Sequence, residues 1–207
     1  MGYFVTLEGP EGSGKSSVSA LVSEYFKDKG KSVVLTREPG GIPISENIRE
    51  LILDPKNTEM DDKTEALLYA ASRRQHLVEK ILPALSKGSL VLCDRFIDSS
   101  LAYQGYARGL GIDEVYEINK FAIESHLPNL TVFLDLDPEI GMERIGVRGF
   151  KDRLELAGEA FHEKVYEGYK LVCARYPERI KIVDASQSLE DVVRDVIVLI
   201  EEALSHV

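Results

Sequence analysis

What this chain of 207 residues has little of narrows its class before any motif is read. It has two cysteines, Cys93 and Cys173, too few for a disulfide framework and without metal-ligand spacing. Cys93 sits in the apolar run "LVLCD", the setting of a buried, inert thiol. No stretch approaches the ~18 consecutive apolar residues of a membrane span. The first residues read as a strand, not as a charged region followed by an apolar one, so no secretory signal is expected. Basic residues are in deficit, 25 Lys and Arg against 35 Asp and Glu, for a formal net charge of -10. A nucleic-acid binder would need a basic face instead. Internal repeats, low-complexity tracts and linkers are absent as well. The expectation is a reduced, cytoplasmic, soluble protein of one domain over 1–207, without membrane or nucleic-acid partners.

What is present is a regular alternation. Five segments rich in Val, Ile, Leu and Phe recur: Tyr3–Glu8, Ser32–Glu38, Leu90–Asp94, Thr131–Leu136 and Ile180–Ala185. They are nearly continuous apolar runs, as expected of strands covered on both faces. Amphipathic stretches separate them. In "KTEALLYAASRRQHLVEKILPALSKG", Leu67, Ala70, Ala71, Arg74, Leu77 and Val78 follow helical spacing, and Gly88 is a plausible stop. Strand and helix alternating five times predict an α/β fold of three layers, a five-stranded parallel sheet with helices on both sides.

The first apolar run leads into "GPEGSGKS", which satisfies G-x-x-x-x-G-K-[ST] between a strand and a helix. In that context Gly9, Pro10, Glu11, Gly12, Ser13, Gly14, Lys15 and Ser16 form a phosphate loop of the P-loop NTPase type. Its amides make an anion nest, to which the helix start adds its positive end. Lys15 is placed to reach the outer phosphates, and Ser16 to offer its hydroxyl to Mg²⁺. A guanine-reading N-K-x-D is missing, since "NKFA" at Asn119–Ala122 lacks the aspartate. Asp94 does not begin a D-x-x-G either, because Ile97 stands in the last position. The switch and motor readings lose ground to transfer of the phosphoryl group.

A second site is written after the other strands. Asp94 ends the third, where a carboxylate can organise Mg²⁺ or its water shell. Arg95 follows directly, a fork of donors suited to a second phosphate at the carboxyl end of the sheet. Ser99, Ser100, Tyr103 and Gln104 add polar readers. "TREPGG" carries Arg37 and Glu38 into a tight turn. Tyr69 and Arg73, four residues apart on one helix, could stack on a base and hydrogen-bond its edge.

The loop "GPEGSGKS", then "REPGG", "LLYAASRRQH" and above all "DRFIDSSLAYQG" resemble the thymidylate kinase family in the same order along nearly the whole chain. The resemblance implies Mg²⁺-dependent transfer of the ATP γ-phosphoryl group to dTMP, and a homodimer. It implies that Tyr69, where the family more often has Phe, stacks on thymine. Arg73 would bond the base's O4 edge, and Ser100 with Gln104 would help read the other polar edge. Arg95 would hold the dTMP phosphate, with Arg49 a second candidate. Tyr103 would crowd the 2′ position of the sugar, and Glu11 would face that sugar. Glu38 and Ser99 join the same acceptor site. Ile42 replaces the family's usual Thr after "REPGG".

"GMERIGVRGFKDRLE" gathers Arg144, Arg148, Lys151 and Arg153 in an otherwise acidic chain. A short mobile lid over about 142–155 is expected to supply the transition-state cation. The family has two arrangements, with the catalytic arginine in the P-loop or in the lid. Gly12 occupies the first position, so the resemblance is to the second. Arg148 and Arg153 are favoured as catalytic, with Arg144 in support, and Gly146 stands where a further arginine is common. "QSLED" reads as a helix entry with Ser188 as its cap. Two other readings stay open: a pyrimidine monophosphate kinase of broader base preference, and a non-catalytic nucleotide switch.

Overall fold

The computed structural model describes residues 2–146 and 152–205. Its centre is one sheet of five parallel strands, β1 (Tyr3–Glu8), β2 (Val33–Arg37), β3 (Leu90–Asp94), β4 (Leu130–Asp135) and β5 (Ile180–Asp184). The spatial order is β2-β3-β1-β4-β5. β1 thus lies between β3 and β4, with Leu7 opposite both Asp94 and Val132. The carboxyl ends of β1 and β3, carrying Glu8 and Asp94, open side by side beneath the phosphate loop.

Apolar side chains alternate between the two faces of the sheet and build two cores. Val5, Leu7, Leu92, Val132 and Leu134 pack against α1 (Lys15–Asp28) and α9 (Leu189–Ser205) through Val18, Val22, Val192 and Val196. Phe4, Val91, Cys93 and Phe133 face the opposite layer. That layer comprises α3 (Asp62–His76), α6 (Ile112–Ile123), α8 (Glu159–Arg175) and the π-helical stretch Leu101–Ala107 that continues α5 (Ile97–Ser100). α2 (Pro43–Leu53) and α7 (Pro138–Gly146) are further helices of the described chain. Between α3 and β3 the chain runs through a π-helical turn, Leu77–Ile81, and α4 (Leu82–Ser86). The expected stop follows at Gly88, which has φ 79°. The Ser188 cap forms too: its hydroxyl accepts from the Asp191 amide at 3.2 Å and donates to the Asp191 carboxylate at 2.8 Å.

Two details differ from the sequence reading. The edge strands are not covered on both faces: β2 and β5 each have a neighbouring strand on one side only, and Leu35 and Ile182 are exposed. On α3 the buried stripe is Glu65, Ala66, Tyr69, Ala70, Ser72, Arg73 and His76, whereas Leu67 and Ala71 face outward. Glu65, Arg73 and His76 turn inward because they have partners there, whereas Ser72 Oγ is buried without one among the described residues. Both cysteines are buried, and burial pushes the Cys173 thiol up to about 12.

Candidate active site

The phosphate loop joins β1 to α1, and Gly14, at φ 85°, delivers Lys15 as the first residue of the helix. Lys15 is buried, its Nζ donating to the carbonyls of Gly9 (3.1 Å) and Pro10 (2.8 Å) and to Ser13 Oγ (3.2 Å). Burial, together with the nearby Arg95 charge, draws its pKa down to about 8. Gly12, at φ 73°, is backed by Gly141 at the start of α7, and any Cβ on Gly12 would strike the Gly141 backbone. Ser16 Oγ donates to Asp94 Oδ2 at 2.8 Å. A hydroxyl and a carboxylate oxygen in contact are a hard donor pair, matching an ion such as Mg²⁺ that takes one or two protein oxygens and fills its shell with water and phosphate. Among the described residues no cluster of three His, Cys, Asp or Glu could hold a metal unaided.

A cavity of about 290 Å³ runs from this loop into the helical layer. Its wall contains Glu11, Gly12, Gly14, Lys15, Ser16 and Asp94 at one end. At the other it holds Glu38, Arg49, Tyr69, Arg73, Ser99, Ser100, Tyr103 and Gln104, so with Arg95 the residues expected of the acceptor site line one cavity. Arg95 stands between the two ends. It adopts φ 68°, a left-handed conformation uncommon outside glycine, and so turns its side chain back over the sheet. Its Nη1 donates to Gly9 O (3.1 Å), Ser99 Oγ (3.2 Å) and Tyr169 Oη (2.9 Å), and its Nη2 to Glu11 Oε1 (2.6 Å) and Tyr103 Oη (3.2 Å). Burial alone would raise the Glu11 carboxyl, but Arg95, Lys15 and the Tyr103 hydroxyl outweigh it and bring Glu11 to about 2.

At the far end, Arg73 is almost wholly buried with its ring neighbour Phe96, whose centroid is 5.2 Å away. Four of its five N–H groups have protein partners: Glu38 Oε2 (2.8 Å), Ser100 Oγ (3.0 Å), Asn119 Oδ1 and the Phe96 carbonyl (2.9 Å). One Nη2 hydrogen remains for a ligand. Glu38 is also bonded to His76 Nδ1 (2.9 Å), whose Nε2 meets Thr36 Oγ1 at 2.7 Å. Ile42 is buried, and the turn before it is held by other groups: Glu46 accepts from the Gly41 amide at 2.7 Å and pairs with Arg37, which also donates to the Pro39 carbonyl at 2.9 Å. Arg49 holds that carbonyl as well, at 3.1 Å.

The lid arginines separate. Arg144 reaches the cavity wall and donates to the Gly12 carbonyl at 3.3 Å. Arg148 and Lys151 lie outside the described residues. Arg153, expected to be a catalytic cation, is bound elsewhere: its Nε donates to the Ile52 carbonyl at 2.7 Å and its Nη2 to Glu65. The carboxylate buried in α3 draws it away from the phosphates.

Sequence reasoning missed Glu8, Tyr169, Asn119 and Glu65. Glu8 accepts from the Phe96 amide (2.7 Å), Ser99 Oγ (2.6 Å) and Tyr169 Oη (3.0 Å), and so fixes the turn that carries Arg95. Burial, with nearby Asp98, pushes its carboxyl up to about 7. A carboxylate ending an otherwise apolar strand was the available signal. Tyr169 and Asn119 had none in their own segments.

The comparisons agree with this geometry. A sequence model described as thymidylate kinase matches residues 7–196. A thymidylate kinase of Bacillus licheniformis is 59% identical, with 99% of this chain and 98% of that protein covered. One of Oceanobacillus iheyensis is 56% identical, with 99% and 92% covered. The crystal structure of thymidylate kinase from Ehrlichia chaffeensis superposes with a TM-score of 0.78 at 31% identity, over 97% of this chain and 98% of that one. A match of this extent, on a chain whose cavity joins a phosphate loop to a base-sized polar pocket, places the protein in the thymidylate kinase family.

Proposed function

We propose that the chain transfers the γ-phosphoryl group of ATP to the 5′-phosphate of dTMP, giving ADP and dTDP. The observation that carries this reading is the single cavity with a P-loop at one end, Tyr69 and Arg73 at the other, and Arg95 between them. ATP phosphates lie on the loop amides and Lys15. Ser16 and Asp94 hold Mg²⁺, directly or through water, and the bound ion supplies positive charge to the donor phosphates. The acceptor base stacks on Tyr69, its phosphate meets Arg95 with Arg49 behind, and its sugar lies between Glu11 and Tyr103. The acceptor phosphate is already anionic, so no protein nucleophile is required; alignment and neutralisation of charge lower the barrier. Arg144 and Arg148 are assigned the charge on the transferred group, within a lid of about 142–155 on a single domain. Arg153 holds the C-terminal end of that lid.

A cytoplasmic homodimer belongs to the same reading. Leu67 on α3 and Phe121 on α6, 56% and 91% exposed, leave apolar surface on two helices that pack together. No helix among the described residues is long and apolar enough to cross a membrane.

The test is ADP release coupled to NADH oxidation, with ATP, Mg²⁺ and each of dTMP, dUMP, dCMP, UMP and AMP. Turnover highest with dTMP supports the proposal. A thymine methyl discriminates by only about 1–3 kcal/mol, so slower use of dUMP is compatible with it. A different preferred monophosphate would overturn the assignment of Tyr69 and Arg73, and turnover without any acceptor would overturn transfer itself.

A further inference from the structure

Gln104, on the cavity wall, is held by a charge behind that wall. Glu65 on α3 is fully buried, and its Oε1 accepts from Gln104 Nε2 at 2.9 Å. Its Oε2 accepts from Arg108 Nη2 at 3.1 Å and from Arg153 Nη2. Both guanidiniums are themselves fixed. Arg108 lies over the Phe161 ring, 4.5 Å from the centroid, and Arg153 is bound to the Ile52 carbonyl. Burial works against the Glu65 charge, but Arg108, Gln104 and Arg153 outweigh it and hold the carboxyl below its ordinary range.

An ionised carboxylate only accepts hydrogen bonds, so it distinguishes the two ends of an amide. Gln104 must turn its NH₂ to Glu65. Its Oε1, without a partner among the described residues, is left for the cavity. We propose that Glu65 is a positioning residue for base selection: by locking the Gln104 amide in one of its two orientations, it makes the pocket require a ring N–H from the acceptor base. Thymine and uracil present that donor at N3, whereas cytosine presents a lone pair. The remaining Arg73 N–H asks for an acceptor at position 4, which cytosine also lacks. Neither Glu65 nor its arginines need touch the nucleotide. The inference rests on the acceptor site proposed above and names what sets its polarity.

Calorimetric binding of dTMP and dCMP separates the two claims, because it needs no turnover. The wild-type protein should bind dTMP at least ~100-fold more tightly than dCMP, since a site built to pair a donor rejects the base that lacks it. In Glu65→Gln the partner amide can itself turn, and in Glu65→Asp the carboxylate stays but is one methylene too short. Each should lower the ratio at least ~10-fold, with affinity for ATP unchanged. Gln104→Leu, which deletes the reader, should lower it as far or further. A ratio unchanged in either folded Glu65 variant, with both affinities falling together, would reduce Glu65 to a structural brace and overturn the proposal. An unchanged ratio in Gln104→Leu, or no wild-type preference, would overturn it without any Glu65 variant having to fold. Tight, selective dTMP binding with no phosphoryl transfer would instead remove the kinase reading and leave the selection device standing.

Discussion

Arg95 Nη2 donates to Glu11 Oε1 across 2.6 Å, joining the residue after β3 to the middle of the phosphate loop. The pair spans the boundary between the donor and acceptor halves of the cavity. If Arg95 takes the acceptor phosphate as proposed, that phosphate must compete with a carboxylate for the same guanidinium. In the acceptor site proposed above, that competition would align the two substrates, with Glu11 turning to the acceptor's sugar as the phosphate takes its place.

Replacing Arg95 by Lys tests that arrangement while keeping the charge. A single ammonium cannot reproduce the fork, and losing two charge-assisted bonds amounts to about 3–4 kcal/mol. In steady-state assays kcat/KM for dTMP should fall roughly 10²–10³-fold, while KM for ATP moves less than about threefold. An equal loss for both substrates would mean that Arg95 serves the loop rather than the acceptor.

Much of this site was legible because its chemistry is local in sequence. The loop, the Asp94–Arg95 pair and the readers from Ser99 to Gln104 each follow the end of a strand, and parallel topology places those ends together. What was not legible depends on partners distant in the chain. Arg153 and Glu65 are 88 residues apart, and nothing in "KDRLE" shows that its arginine will find a buried carboxylate in α3. The helix periodicity failed for the same reason. Glu65, Arg73 and His76 count as polar in any pattern, yet they form the buried face because Gln104, Glu38 and Thr36 wait there.

That buried face makes Arg73 a structural keystone besides the base reader proposed above. Arg73→Ala leaves Glu38 Oε2 and Asn119 Oδ1 without their Arg73 donor at the buried end of the cavity, a loss of about 3–5 kcal/mol for a broken buried pair. Urea unfolding should show it as a lower midpoint at an unchanged slope. A midpoint close to wild type would mean that water or His76 takes over at Glu38.

Gly12 gives a prediction about the two arginine arrangements. A left-handed φ of 73° costs a non-glycine residue about 1–2 kcal/mol, and contact with the Gly141 backbone adds about 1–3 kcal/mol of overpacking. Gly12→Ala should therefore lower both the Tm and kcat/KM for ATP. Gly12→Arg should fail to restore activity to Arg148→Ala, although it moves the cation to the position used in the other arrangement. Restored turnover in the double variant would mean that α7 yields readily to the loop.

Lys15 is expected to set the alkaline limit of the reaction. Held at about 8 in the free protein, it loses its charge where an exposed lysine would keep it, so kcat/KM for ATP should fall above about pH 8. Bound triphosphate favours the protonated form, so the limb in kcat at saturating ATP should lie higher. Stability moves the other way. The folded pKa is below the ordinary 10.5, so between about 8 and 10.5 the unfolded chain binds more protons and the Lys15 contribution to stability rises with pH. The difference in unfolding free energy between wild type and Lys15→Met, followed from pH 7 to 10, isolates that contribution. The same variant should have lost most turnover at every pH. A kcat/KM for ATP that stays level through pH 9 would show that the loop carbonyls and Glu11 hold the proton more firmly than burial expels it.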